Sequence, residues 1–226
     1  DKKDDEKIRI TYMDERMLST PTVAIAQLLK ETISMGDKCM SVLEKSFDAF
    51  IDRDVTAEES IDAENEEITI ISKQITDYLI KVSGANVSLH DDQRISIMHH
   101  ALADMLRISE ISDNITKYTA KVVNKNLSFS DSVMVDLKKM FGKLKGMYSI
   151  AIQILETNDR SFFPDLDVLE NGVDDMRRSL VDAHIKRLNE GACSPANSAT
   201  FINLVSNLER VGDHIVFIAH SVEELS

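Results

Sequence analysis

The sequence contains no tryptophan, three prolines, seven glycines and two cysteines among its 226 residues. So few turn-forming residues exclude an all-β chain, which needs a turn signal every eight to twelve residues or so. No run of about 18 apolar residues occurs, so no segment is long enough to span a bilayer, and there is no signal peptide. Cys39 and Cys193 stand apart, in neither a CxxC nor a Cys/His metal spacing. Two lone thiols suggest a reducing compartment, with no disulfide expected. Catalytic signatures are missing too. HExxH, GxSxG, a P-loop and a glycine-rich phosphate loop do not occur. Nor does ExxH, which removes the histidine ligands of a ferritin-like di-iron centre. No catalytic residue is expected, and the chain is read as a non-enzyme.

Charge of one sign dominates what is present. The net charge is −13, which repels phosphate backbones and excludes nucleic acid as a natural partner. Cations and basic protein surfaces fit such a chain better. Apolar residues make up 43%, enough for a sizeable core. The chain begins Asp1-Lys2-Lys3-Asp4 without an initiator Met, so it reads as a fragment whose missing membrane part lies upstream.

The first 20 residues are polar and mixed, with Ile8, Ile10 and Tyr12 alternating as in a short extended segment. Thr20-Pro21 reads as an N-cap followed by proline at the first helical position. Helical periodicity then persists to the end. Helix one runs to about Asp52 on Ile25, Leu28, Met35, Cys39 and Val42, which makes Cys39 a core residue. Helix two carries Ile61, Ile68, Ile71, Ile75, Leu79 and Val82, and helix three carries Ile95, Met98, Leu102, Met105, Ile108, Ile115 and Val122. Ser130 or Asp131 caps helix four, whose stripe is Val133, Leu137, Met140, Leu144, Met147 and Ile154. Helix five follows on Leu166, Leu169, Val173, Met176 and Leu180, and helix six on Ile202, Val205, Leu208, Val211 and Ile215.

Three long helices followed by three more suggest an internal repeat. Met105-Leu106-Arg107-Ile108-Ser109-Glu110 aligns without a gap on Leu208-Glu209-Arg210-Val211-Gly212-Asp213. Residues 1–20 are then a linker, 21–126 the first repeat and 128–226 the second. Stripes repeating every 3.5 residues or so favour small crossing angles, and short connections make successive helices antiparallel. The expected fold is all-α: two tandem antiparallel three-helix bundles built from six long helices.

The informative chemistry lies in the second repeat. Glu170 and Asp174 are four apart on helix five, and Glu209 and Asp213 are four apart on helix six. That spacing puts each pair on one helix face, and each carboxylate directly follows a seam position. Gly212, costing about 1 kcal/mol against alanine in mid-helix, suggests a close approach of helices five and six. Four converging carboxylates repel unless a cation sits among them. Oxygen ligands suit a hard ion, Mg, Mn, Ca or oxidised Fe, with His214 as a weaker candidate. The competing reading is plain salt bridging, because Arg177, Arg178 and Arg210 stand nearby.

The run Leu208-Glu209-Arg210-Val211-Gly212-Asp213-His214 resembles the signature of the last helix in PhoU-family repeats. Glu170, Asp174, His184 to Leu188 and Gly191 fit the helix before it. Tyr12-Met13-Asp14-Glu15-Arg16 with Thr20-Pro21 resembles the connector of sodium/phosphate cotransporter-type proteins to a C-terminal PhoU-like domain. The resemblance spans roughly residues 12–225. It implies two three-helix bundles and a non-catalytic role in regulating phosphate uptake, on the cytoplasmic face of the cell membrane. The implied partners are the chain's own upstream transmembrane transporter domain or another phosphate-transport membrane protein; the eroded first-repeat patch adds a homodimer as an expectation. A stand-alone PhoU regulator of an ATP-binding-cassette phosphate transporter and its sensor kinase is the alternative. A metal-dependent hydrolase or oxidase is the alternative of another class. The resemblance also implies that ExxxD motifs hold metal ions. In this chain it gives one site in the second repeat, at Glu170, Asp174, Glu209 and Asp213. At the corresponding first-repeat positions stand Asn65, Thr69, Leu106 and Glu110, of which only Glu110 is still a carboxylate.

Overall fold

The computed structural model describes Ile10 and residues 15–225. Six long helices carry the chain: α1 (Pro21–Asp52), α2 (Glu58–Ser83), α3 (Leu89–Asn124), α4 (Asp131–Thr157), α5 (Phe163–Asn189) and α6 (Pro195–His220). No strand occurs among the described residues. Ile8 and Tyr12 of the expected extended segment lie outside them.

The two halves repeat down to their turns. Arg53 and Asn158 end α1 and α4 in the left-handed region, at φ 58° and 55°. The next residue, Asp54 or Asp159, accepts a hydrogen bond from the backbone N–H two residues on, at 2.9 Å in both cases. Each aspartate thereby opens a single 3-10 turn (Val55–Ala57, Arg160–Phe162) that leads into α2 or α5. Ser88 and Ser194 then cap α3 and α6, each accepting from the N–H three residues on, at 3.0 and 3.2 Å. Ser130 caps α4 in the same way. Thr20 occupies the expected capping position of α1, but its hydroxyl makes no capping bond; Pro21 alone opens the helix.

α1 packs on α2 and α3, and α4 packs on α5 and α6. The two bundles meet chiefly along α3 and α6. The buried stripe follows the periodicity: Leu28, Met35, Cys39, Met105, Met140, Met147, Leu208 and Ile215 are all fully buried. Burial pushes the Cys39 thiol up to about 12, so it behaves as a small core residue rather than a nucleophile. Both cysteines are free thiols.

Polar pins cross between the bundles. Tyr148 on α4 donates to Asp37 on α1 at 2.8 Å, and Asn207 on α6 donates to Tyr118 on α3 at 2.8 Å. Close approach at the first pin depends on Gly36. A methyl group there would sit 2.7 Å from both Met105 Cε and Tyr148 Oη. Gly212 behaves differently from the expectation. Its missing side chain faces Leu144 and Met147 of α4 at ordinary contact distances of 3.4 and 3.7 Å, so it does not serve an approach of α5 to α6.

Candidate carboxylate site between α5 and α6

On α5 the buried residues Leu166, Val173 and Leu180 fix the inward face. Glu170 and Asp174 fall beside that face, half-buried, one turn apart. On α6 Leu208, Val211, Gly212 and Ile215 are buried, which places Glu209 half-buried and Asp213 exposed along the edge nearest α5.

The four acids share one field. Glu170 is held above its ordinary pKa, first by burial and then by repulsion from Asp174, Asp167 and Asp213; His220 opposes the shift. Asp213, though its own surface is open, is raised first by the partial desolvation of its surroundings and then by Asp174, with His214, Arg210 and Arg177 pulling the other way. Glu209 is raised by burial against the pull of Arg177, with Asp213 and Asp174 adding to the rise. Carboxylates on α5 therefore act on those of α6, as the i,i+4 spacing and the shared edge require.

Arg177 enters this cleft as a counter-charge from α5 itself. Its Nε lies 2.9 Å from Glu209 Oε2. The N–H does not point at that oxygen, so the buried Nε has no hydrogen bond. The contact is thus an ion pair without the alignment of a strong guanidinium–carboxylate fork. Arg178, further round the helix, lies 3.8 Å from Asp175 instead.

This arrangement is not a coordination sphere. Among the described residues no three His, Cys, Asp or Glu side chains are gathered closely enough to hold a metal ion. Arg177 already sits on one of the four expected ligands. As placed, Arg177 pairs with Glu209 as the salt-bridge reading has it, while Arg178 goes to Asp175.

The weaker candidates lie elsewhere. His214 turns to the other bundle, where its Nδ1 is 3.0 Å from Asp104 Oδ1 on α3. Glu110 pairs with Arg107 of its own helix at 2.9 Å, on the surface. At the first-repeat positions an amide replaces the acid: Asn65 donates to Ser112 Oγ at 2.9 Å and to Asp113 Oδ1 at 2.7 Å. Thr69 is turned back onto its own helix, donating to the Asn65 carbonyl. Sequence reasoning did not single out Asp104 or Asp113. Asp104 leaves no local signal, because its partner is 110 residues away.

Comparison with known proteins follows this architecture. Residues 137–222 match the PhoU domain family. The crystal structure of PhoU from Pseudomonas aeruginosa superimposes with a TM-score of 0.81 at 16% identity, covering 90% of this chain and 97% of the other. The phosphate transport system regulatory protein PhoU from Streptococcus pneumoniae gives 0.82 at 15% identity, covering 91% and 96%. No curated protein matches this chain. The chain has the PhoU helical-bundle fold, and the match to the PhoU domain family falls on its residues 137–222.

Proposed function

We propose that this chain is a non-enzymatic regulatory domain that controls phosphate uptake from the cytoplasmic face of a membrane, attached to a sodium-coupled phosphate transporter. The observation that carries the regulatory reading is the PhoU fold over 90% of the chain, together with the match to the PhoU domain family in its second half. One structural match is itself named a phosphate transport system regulatory protein. Attachment to a transporter rests on the likeness of Tyr12 to Arg16 and Thr20-Pro21 to a cotransporter connector. Among the described residues no helix is long and apolar enough to cross a membrane.

The α5–α6 cleft is the face through which regulation acts. Its acids are held near one another at an electrostatic cost that a cationic partner would relieve. A basic side chain of the transporter or a divalent or ferric ion each supplies that charge. For an ion, Arg177 must first leave Glu209.

Uptake of labelled phosphate by cells tests the reading. The whole gene is compared with a version lacking the codons for residues 21–226 and with a Glu209→Ala, Asp213→Ala version. Deletion should change how uptake responds to external phosphate, and the double substitution should reproduce part of that change while membrane levels stay equal. Uptake that responds identically in all three overturns the proposal.

A further inference from the structure

A cavity lies where α1, α3, α4 and the C-terminal turn (Ser221–Glu224) come together. Its volume is about 210 Å³, well above the roughly 10–15 Å³ that one water needs on this measure. Leu29, Ile97, Met98, Leu155, Val222 and Leu225 give it an apolar lining drawn from both bundles. The C-terminal wall is fixed in place. Arg160 donates to the carbonyls of Val222 and Leu225 at 3.1 and 2.9 Å. Ser96 donates to Glu224 at 3.3 Å, and His100 Nδ1 lies 3.2 Å from the same carboxylate.

Arg94 also lines the cavity, and its guanidinium is poorly matched. Among the described residues its ion pair is a long one, 3.9 Å to Asp91 Oδ1, while the other oxygen of Asp91 accepts from Thr22. A guanidinium carries five donors in a planar fork that suits a carboxylate. Glu156, also on the lining, disfavours a doubly charged head. His90, Thr157 and Asn158 complete the polar side of the lining, and an apolar floor beside one loosely paired guanidinium fits a small amphipathic monoanion.

We propose that this cavity binds a short aliphatic carboxylate, with its chain on the apolar floor and its head on Arg94. Because the walls come from both repeats, the ligand joins the two bundles and stabilises the folded chain by mass action. The inference does not rest on the phosphate-transport reading.

Octanoate is the probe, titrated calorimetrically into the whole chain, with melting temperature followed in parallel. One saturable site is expected, together with a rise in melting temperature. Arg94→Gln should weaken binding roughly tenfold, the loss of one charge-assisted contact. Met98→Trp, which fills the floor, should abolish binding while the chain still melts cooperatively; this variant decides the matter if Arg94→Gln fails to fold. Octanol and inorganic phosphate should each bind at least about tenfold more weakly than octanoate, for want of one half of the recognition. The proposal fails if octanoate shows no saturable binding up to its solubility limit. It also fails if binding survives both substitutions, or if phosphate binds more tightly than octanoate.

Discussion

Glu170 shows how a single side chain reports on the cleft. Among the described residues it has no cationic partner comparable to Arg177 on Glu209, and His220 is the group that opposes its upward shift. A raised pKa means that the folded chain still binds a proton at pH values where the unfolded chain has released it. The destabilising contribution is therefore fully present above the folded pKa. It is absent below the ordinary glutamate value of about 4.3. Glu170→Gln removes the charge and keeps the shape. At pH 7 it should stabilise the chain by about a few tenths of a kcal/mol, a small amount because the site is largely solvated. The gain should disappear near pH 4, as urea unfolding at the two pH values would show. A loss of stability at pH 7 would mean that Glu170 has an attractive partner instead. His184 shows the opposite titration logic. It is buried, stacked on Phe201 with ring centroids 4.6 Å apart. Burial, then Arg187, lowers its pKa, so it is a neutral core ring.

Helices one to six were legible because each carries a long apolar stripe with polar residues between. The cap residue Ser130 is legible because a hydroxyl before a helical stripe has a local reason to be there. The paired 3-10 turns at Val55–Ala57 and Arg160–Phe162 were not read. Their aspartate caps act within two residues and leave no periodic trace. Gly212 is ambiguous in the sequence for a related reason: a glycine in a stripe signals that a side chain is missing, not which neighbour would meet it. The two seam glycines now make opposite predictions. Gly36→Ala drives a methyl group against Met105 and Tyr148 and should cost about 1–3 kcal/mol, as overpacking does. Gly212→Ala meets only ordinary contacts and should stabilise by up to about 1 kcal/mol, through helix propensity. Denaturant midpoints of the two variants check both signs. Equal effects would show that helix propensity, not packing, governs the two sites.

Across the whole molecule, two bundles with matching turns are joined along α3 and α6 by contacts that no local pattern announces. Asp104–His214 and Tyr118–Asn207 link residues about half the chain apart. A side chain's partner across a bundle depends on how helices rotate about one another, which the stripe constrains only to within a residue or so. The four acids of the cleft were legible from their i,i+4 spacing, and Arg177 from its place in the same run. Their geometry was not, since ligand distances depend on rotamers and helix rotation together. The central claim is that Glu170, Glu209 and Asp213 are held above ordinary carboxylates first by burial and then by one another's charge and that of Asp174 across α5 and α6, with Arg177 as counter-charge. Carbon-detected NMR titration of the Glu170, Glu209 and Asp213 carboxyl groups, in the native chain and in Arg177→Met, tests it directly. All three should titrate above ordinary carboxylates in the native chain, and Glu209 and Asp213 should move higher still when the guanidinium is removed. Ordinary values in the native chain, with no movement in the variant, would contradict the account.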